Sequence, residues 1–103
     1  MRRRALTPVA GALDALTERL APATVLAEVQ RAWPRAVGPA FAPHSEPWAE
    51  REGEVTVACP EAVRAQELDL MSDLVVERLN QALGRPVIRR LRVQARKAPL
   101  RDA

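Results

Sequence analysis

The spacing of apolar residues changes along the chain, and each change marks an expected element of structure. Leucine or valine recurs at positions 6, 9, 13, 16 and 20. This three- and four-residue spacing predicts an amphipathic helix over residues 8–20. A second helix is predicted to begin after Thr24, whose hydroxyl can cap it, and to carry an apolar face that includes Trp33. Pro34 disfavours helical angles at the residue before it, so this helix is predicted to end at Trp33.

A period of two replaces the helical spacing after a proline-containing connection. The apolar members of the alternating run are Val55, Val57 and Cys59. Because polar or small residues separate them, the run predicts a half-buried strand near residues 54–59. A partner strand is predicted near residues 45–51, and Gly53 can adopt the positive φ that a tight turn requires. The two strands are expected to form a β-hairpin.

The longest predicted helix spans residues 60–83, with Gly84 as its expected C-terminal cap. Its expected core stripe, widened by Leu70 and Leu74, consists of Leu68, Met71, Val75, Leu79 and Leu83. A last strand is predicted near residues 87–95. Its expected inward positions are Leu91, Val93 and Ala95, and its expected outward positions are Arg90, Arg92, Gln94 and Arg96.

The predicted order of elements is therefore α-α-β-β-α-β, which belongs to the α+β class. A three-stranded sheet with the helices packed on one face would bury all the apolar stripes together. We expect a single domain over residues 6–96, because 103 residues support one modest core. A disordered basic N-terminus over residues 1–5 and a short basic tail over residues 97–103 are expected to flank it.

Charge is distributed in blocks, although the net charge is only +3. Residues 46–77 hold nine acids and two arginines, giving −7, whereas residues 78–103 hold eight bases and one acid, giving +7. This distribution favours one face that contacts an anion and a separate acidic face that meets a basic partner. The alternative is that the charges serve only solubility.

The sequence contains no recognisable motif for catalysis or for binding a cofactor. His44 and Cys59 are the only histidine and cysteine, so no metal site and no internal disulfide are predicted. The four glycines are far apart and form no phosphate-binding loop. No apolar run is long enough to cross a membrane. We therefore expect a cytoplasmic protein that is not an enzyme and carries no cofactor.

Arginines in and around the last strand are the best candidates for contact with nucleic acid. Residues two apart in a strand lie about 6 to 7 Å from each other, which is close to the phosphate spacing of an extended nucleic-acid strand. The expected nucleic-acid-binding residues are Arg85, Arg90, Arg92, Arg96 and Lys97. An ordinary solvated sheet edge is the alternative.

The two tryptophans carry different expectations. Trp33 ends a helical stripe and is expected in the core. Trp48 lies on a short strand flanked by charges, so it is either a core residue or a partly exposed contact for a base or a partner protein. The expected partner-binding residues are Trp48, Glu46 and Glu50.

Several short segments occur in a distinctive order along the chain: Trp33, Val37-Gly38, His44-Ser45-x-Pro47, Gly53-x-Val55-x-Val57, Ala65-Gln66-Glu67-Leu68 and Leu79-Asn80-x-x-Leu83-Gly84. Their order resembles the DciA-type family of bacterial replicative-helicase operators. The resemblance covers roughly residues 24–96. It implies a K-homology-like fold and a non-enzymatic adaptor that binds the replicative DNA helicase and single-stranded DNA to assist helicase loading.

Two other functions are compatible with the same sequence. The first is an RNA-binding K-homology-like module that works in translation or RNA processing. The Gly-x-x-Gly loop with which such modules clamp the backbone does not occur in this chain. The second is an accessory domain that binds only protein. The sequence does not predict an oligomeric state.

Overall fold

The computed structural model describes residues 24–99. Its elements, numbered here in chain order, are α1 (Val25–Val37), a 3₁₀ turn (Ala42–His44), β1 (Glu46–Arg51), β2 (Glu54–Ala58), α2 (Ala62–Leu70), α3 (Ser72–Leu83) and β3 (Arg90–Gln94). The helix predicted over residues 8–20, the N-terminus over residues 1–5 and residues 100–103 of the expected tail lie outside the described residues.

Helix α1 begins where the sequence predicts but extends further than predicted. The Thr24 side chain accepts a hydrogen bond from the Ala27 N–H at 3.0 Å, as expected for an N-cap. The predicted end at Trp33 is wrong, because the helix runs through Pro34 to Val37. Ala36 and Val37 in this last turn are buried in the core. Their burial offsets the backbone hydrogen bond that Pro34 cannot donate.

The three strands form one sheet in the order β1-β2-β3, so the structure confirms the mixed α+β class. Strand β2 pairs antiparallel with β1 and parallel with β3. Glu52 and Gly53, at φ angles of 51° and 87°, make the two-residue turn between β1 and β2. Positive φ at both positions is the signature of a type I′ hairpin turn, which matches the twist of the strands. The K-homology-like fold that the resemblance implies stays a prediction.

The long predicted helix is divided at Met71, where φ is −95° and ψ is 8°. The Met71 N–H donates to both the Glu67 and Leu68 carbonyls, at 3.2 and 3.0 Å, so the backbone tightens there before α3 begins. Leu70 and Leu74 do not widen the core stripe as predicted, since their exposed fractions are 82% and 41%.

One hydrophobic core lies between the helices and one face of the sheet, as predicted. It is formed by Val29, Trp33, Ala36, Val37, Val55, Val57, Leu68, Val75, Leu79, Ile88 and Leu91. Trp33 is buried, as expected, and its indole N–H donates to Ser45 Oγ at 3.0 Å. That hydroxyl in turn donates to the Phe41 carbonyl at 2.7 Å, so Ser45 joins α1 to the start of the hairpin.

Candidate nucleic-acid interface

The sheet face opposite the core, called the outer face below, carries three of the eight predicted contact residues, which are Glu46, Arg90 and Arg92. Its members in the three strands are Glu46, Ala49 and Arg51; Glu54, Thr56 and Ala58; and Arg90, Arg92 and Gln94. Leu91 is buried toward the core while Arg90 and Arg92 are exposed, which confirms the predicted alternation of β3 at these positions. The inward position predicted for Ala95 is wrong, because β3 ends at Gln94 and Ala95 is exposed.

The two arginines of β3 stand in different electrostatic environments. Arg90 lies directly opposite Glu54, and its Nε is 3.0 Å from Glu54 Oε2. Arg92 lies opposite Thr56 and is exposed, and within residues 24–99 its side chain makes no hydrogen bond or ion pair. Arg92 therefore presents an unneutralised charge to solvent, whereas the charge of Arg90 is partly offset by its neighbour.

A β-bulge removes Trp48 from the regular alternation of β1. Pro47 pairs with Val57 and Ala49 pairs with Thr56, so Trp48 is the extra residue between them. Trp48 therefore lies between an inward position, Pro47, and an outward position, Ala49, and has no direct partner on β2. It is half-buried and is not among the described residues that pack against the hydrophobic core. Because Trp48 does not pack against the core, a position on the outer face with Arg90 and Arg92 is favoured for its side chain.

The remaining predicted bases lie beyond β3 or on another side of the molecule. Arg96 is exposed after the end of the strand, and its Nε donates to the Lys97 carbonyl at 3.2 Å. Lys97 lines a groove of about 620 Å³ together with His44, Glu46 and Glu61. The groove combines both signs of charge, so it does not extend the basic character of the outer face.

Arg85 binds helix α1 instead of joining the other arginines. Its two terminal nitrogens donate to the Glu28 carboxylate at 3.0 and 2.7 Å. The hydrogen bond from Arg85 lowers the pKa of the Glu28 carboxyl below its ordinary value, against the raising effect of burial. Because the folded-state pKa is lowered, the pair contributes stability above the ordinary carboxyl range and loses it as the pH falls through the folded-state pKa.

The acidic residues of the hairpin divide between local structural tasks and the outer face. Glu50 Oε2 accepts the Gly53 N–H at 2.8 Å and so closes the turn. Glu46 lies at the end of the outer face and lines the groove. The three residues predicted to bind a partner are therefore not equivalent, because the Glu50 carboxylate already serves the hairpin.

The other chemically distinctive residues show no catalytic arrangement within the described chain. Cys59 is buried, as expected, and burial raises the pKa of its thiol. His44 is exposed, while the adjacent Ser45 hydroxyl is bonded to Phe41 and Trp33. Within residues 24–99, no cluster of histidine, cysteine and carboxylate side chains could hold a metal ion. None of the helices in that range is long and apolar enough to span a bilayer.

Sequence reasoning did not identify Thr56 and Glu54 as members of the interface. Both became visible only through the pairing of β2 with β3, which places Thr56 beside Arg92 and Glu54 beside Arg90. The available signal was the period of two in each strand, which fixes the face of a residue but not its cross-strand partner.

The fold and the outer face define a small α+β domain with one sheet surface that the described helices do not cover. The family model described as "Dna[CI] antecedent, DciA" matches residues 8–93 of this chain. A UPF0232 protein of Streptomyces avermitilis is 39% identical over 71 residues, which cover 67% of this chain and 39% of the relative. The chain belongs to the DciA family. It spans about two fifths of the length of this curated relative.

Proposed function

We propose that this protein is a non-enzymatic adaptor that binds the bacterial replicative helicase and single-stranded DNA, and so assists loading of the helicase. The observation that carries the proposal is the family match over residues 8–93, because the DciA family is associated with helicase loading. The arginines and Trp48 on the outer face support the DNA-binding half of the proposal.

In this proposal, single-stranded DNA lies across the outer face of the sheet. The guanidinium of Arg92 binds a phosphate, and Arg90 binds the next one along the strand, about 6 to 7 Å away. Trp48 stacks on a base, an interaction that tolerates any sequence because every base has a π face. Thr56 lies between Arg92 and Ala49, the chain neighbour of Trp48, where its hydroxyl can bond to a phosphate or a sugar.

The first prediction concerns the two outward arginines of β3. The double variant Arg90→Gln/Arg92→Gln is expected to bind single-stranded DNA about tenfold or more weakly at low salt, because two phosphate contacts are lost. The slope of log affinity against log salt should become shallower by about 1.4. Fluorescence anisotropy with a labelled oligonucleotide over a series of salt concentrations measures both quantities.

A matched control separates this effect from a general loss of positive charge. Arg31 and Arg35 are exposed on α1, so Arg31→Gln/Arg35→Gln removes the same charge from the helical side of the molecule. We expect this control to change the slope little. Equal slopes for the two double variants would show that the outer face does not contact the phosphates. Running the titrations with RNA of the same sequence tests the alternative RNA-binding function.

The second prediction is that Glu54 competes with DNA for Arg90. Glu54→Gln should tighten binding about two- to fivefold, because it removes an exposed ion pair of about 1 kcal/mol or less that DNA must otherwise displace. Glu67→Gln is the control, since Glu67 is exposed on α2 and its distant charge is screened at moderate salt. The same anisotropy titration applies, and weaker or equal binding by Glu54→Gln would contradict the competition.

The protein-binding half of the proposal is tested with the replicative helicase of the same organism. Calorimetry or co-elution should detect a complex at micromolar concentrations and low salt, and its absence would reject the helicase as the partner. Trp48→Ala is included in both assays, because the sequence predicts a protein contact for Trp48 whereas its place in the same sheet as Arg92, away from the core, favours a DNA contact. If this variant loses DNA affinity but still binds the helicase, the result would support a DNA contact for Trp48.

A further inference from the structure

Three large apolar side chains are exposed on helices α2 and α3, on a part of the surface to which the proposed function assigns no role. They are Val63, Leu70 and Leu74, with exposed fractions of 66%, 82% and 41%. The sequence predicted Leu70 and Leu74 as core residues, so their exposure is also unexplained by the fold. Grouped exposed leucines are uncommon on a surface that meets only water and mark candidate interaction sites.

The exposed side chains lie opposite the buried positions of each of the two helices. Residues at positions 65, 68, 75 and 79 face the core, and all four are buried. Because Met71 departs from helical angles, the arrangement of side chains is followed within each helix separately. The row on the opposite side, called the α2–α3 strip below, consists of Val63, Glu67, Leu70, Leu74 and Glu77. Within each helix, the three- and four-residue steps from Val63 to Glu67 to Leu70 and from Leu74 to Glu77 keep these side chains on one side of that helix.

The α2–α3 strip is acidic along its whole length. Glu67 and Glu77 belong to it, Asp69 and Asp73 are exposed beside it, and within residues 24–99 none of the four makes an ion pair. The nearby bases are turned away. Arg64 is held by Glu61 and the Ala40 carbonyl, each at 2.9 Å, and Arg78 reaches toward the Ala36 carbonyl at 3.5 Å.

We infer that the α2–α3 strip is a docking surface for an amphipathic helix of a partner protein, with apolar residues along its seam and arginine or lysine on both flanks. The apolar side chains supply the buried contact, and the acids select a basic partner. A second copy of this chain does not fit, because symmetric packing would bring Glu67 and its acidic neighbours against the same residues.

This surface is separate from the outer face. Helices α2 and α3 bury their other side in the core against the inner face of the sheet, so the strip points away from Arg90, Arg92 and Trp48. DNA and a partner helix can therefore be held at the same time. That the partner is the replicative helicase rests on the proposed function; the chemistry of the strip stands independently of it.

A synthetic peptide tests the surface without the helicase. The probe is a helical peptide of roughly 18 residues with leucine along its seam and arginine on both flanks, and a sibling peptide carries glutamate in place of arginine. In ¹⁵N-labelled protein, the arginine peptide should shift the amide signals of residues 63–77, and the glutamate peptide should not. Shifts on the outer face alone, or no shifts, would overturn the inference.

Two sets of variants sharpen the peptide assay. Leu70→Gln/Leu74→Gln keeps helix propensity and changes only exposed side chains, so it should retain the melting temperature and bind the arginine peptide at least about tenfold more weakly. Glu67→Lys should weaken binding, whereas Glu52→Lys at the exposed hairpin tip, with the same change of charge, should not. Equal binding by Leu70→Gln/Leu74→Gln and the unmodified chain would overturn the inference.

The helicase assay then separates this inference from the proposed function. If the helicase binds the unmodified chain but binds Leu70→Gln/Leu74→Gln equally well, the docking surface is rejected and the proposed function survives. If the arginine peptide binds the strip but the helicase does not bind the chain, the surface stands and the proposed function fails. A dimer in sedimentation that Leu70→Gln/Leu74→Gln dissociates would replace the basic partner with a second copy and overturn the inference.

Discussion

Replacing Gly53 with alanine is expected to lower the free energy of unfolding by about 2 to 4 kcal/mol, through strained backbone angles and a steric clash together. The φ angle at this position is 87°, and an added Cβ would lie 2.8 Å from the Val87 carbonyl oxygen and 2.8 Å from Arg89 Cγ. Arg89 could move, but the Val87 carbonyl belongs to the backbone that leads into β3.

The cost at Gly53 is raised further by its hydrogen bonding. The Gly53 carbonyl accepts the N–H groups of Arg89 and Arg90, at 2.8 and 3.3 Å, and so ties the hairpin turn to the start of β3. A displacement of the turn would therefore loosen the alignment of Glu54 with Arg90. We expect Gly53→Ala to disturb the outer face as well as the stability of the fold.

Gly84→Ala is the matched control for the same substitution. Its φ angle of 78° is also positive, but an added Cβ would meet no atom within 4 Å. Only the backbone strain should remain there, about 1 to 2 kcal/mol. Urea unfolding of both variants gives the difference, which isolates the close approach of β3 to the hairpin turn. Equal losses of stability would show that the backbone at Val87 moves aside easily.

The elements that the sequence predicted well are those decided by neighbouring residues. The period of two in β2, the glycine in the turn and the hydroxyl at the start of α1 each act over a few positions. These local signals placed the hairpin and the last strand close to where the structure has them. The buried position of Trp33 followed in the same way from a helical stripe.

The position of Trp48 depends on a bulge that the sequence does not reveal. A regular hairpin counted from the turn between Arg51 and Glu54 would pair Trp48 with Val57, on the core face. The register shift pairs Pro47 with Val57 instead and leaves Trp48 without a partner between the two faces. A shift of one residue reverses the face of a side chain, so the choice between a core and a contact role required the register itself.

The two errors in the helices come from tertiary packing. Pro34 lies within α1 because the turn that follows it fills the core, a gain that local propensity cannot anticipate. Leu70 and Leu74 fit a wide apolar stripe in the sequence, but the stripe that packs into the core is narrower and does not include them. These two leucines are therefore left exposed and form part of the α2–α3 strip.

The fold places the charged blocks of the sequence on faces that the sequence did not predict. Because β2 lies beside β3, the acid Glu54 from the acidic block meets Arg90 from the basic block on one face. The acids of the helices, including Glu67 and Asp73, lie on the side away from that face. The acidic surface proposed to meet a protein is therefore the helical one, although the sequence assigned this role to the hairpin.

At about pH 7, Asn80→Asp is expected to destabilise the fold more than Asn80→Ala does. In acid, the destabilisation by Asn80→Asp is expected to be smaller. The Asn80 amide donates to the Ile88 carbonyl at 2.9 Å and accepts the Ile88 N–H at 2.8 Å. This pair of bonds holds the segment between α3 and β3 against the core. Asn80→Ala leaves both backbone groups of Ile88 without their partner, which costs about 1 to 3 kcal/mol.

The carboxylate introduced by Asn80→Asp can still accept the Ile88 N–H, but its second oxygen would face the Ile88 carbonyl oxygen and repel it. Only the protonated acid restores a donor, so the pKa of the introduced carboxyl is expected to lie above its unfolded value. Stability relative to Asn80→Ala is then present below the unfolded-state pKa and is lost as the pH rises through the folded-state pKa.

Urea unfolding of both variants at about pH 4 and about pH 7 measures the change, and the alanine variant cancels the titration of other groups. A difference between the two variants that stays constant with pH would mean that the amide of Asn80 does not donate to Ile88 in solution. The connection into β3, and with it the position of the arginines on the outer face, would then depend on the burial of Ile88 instead of on this bridge.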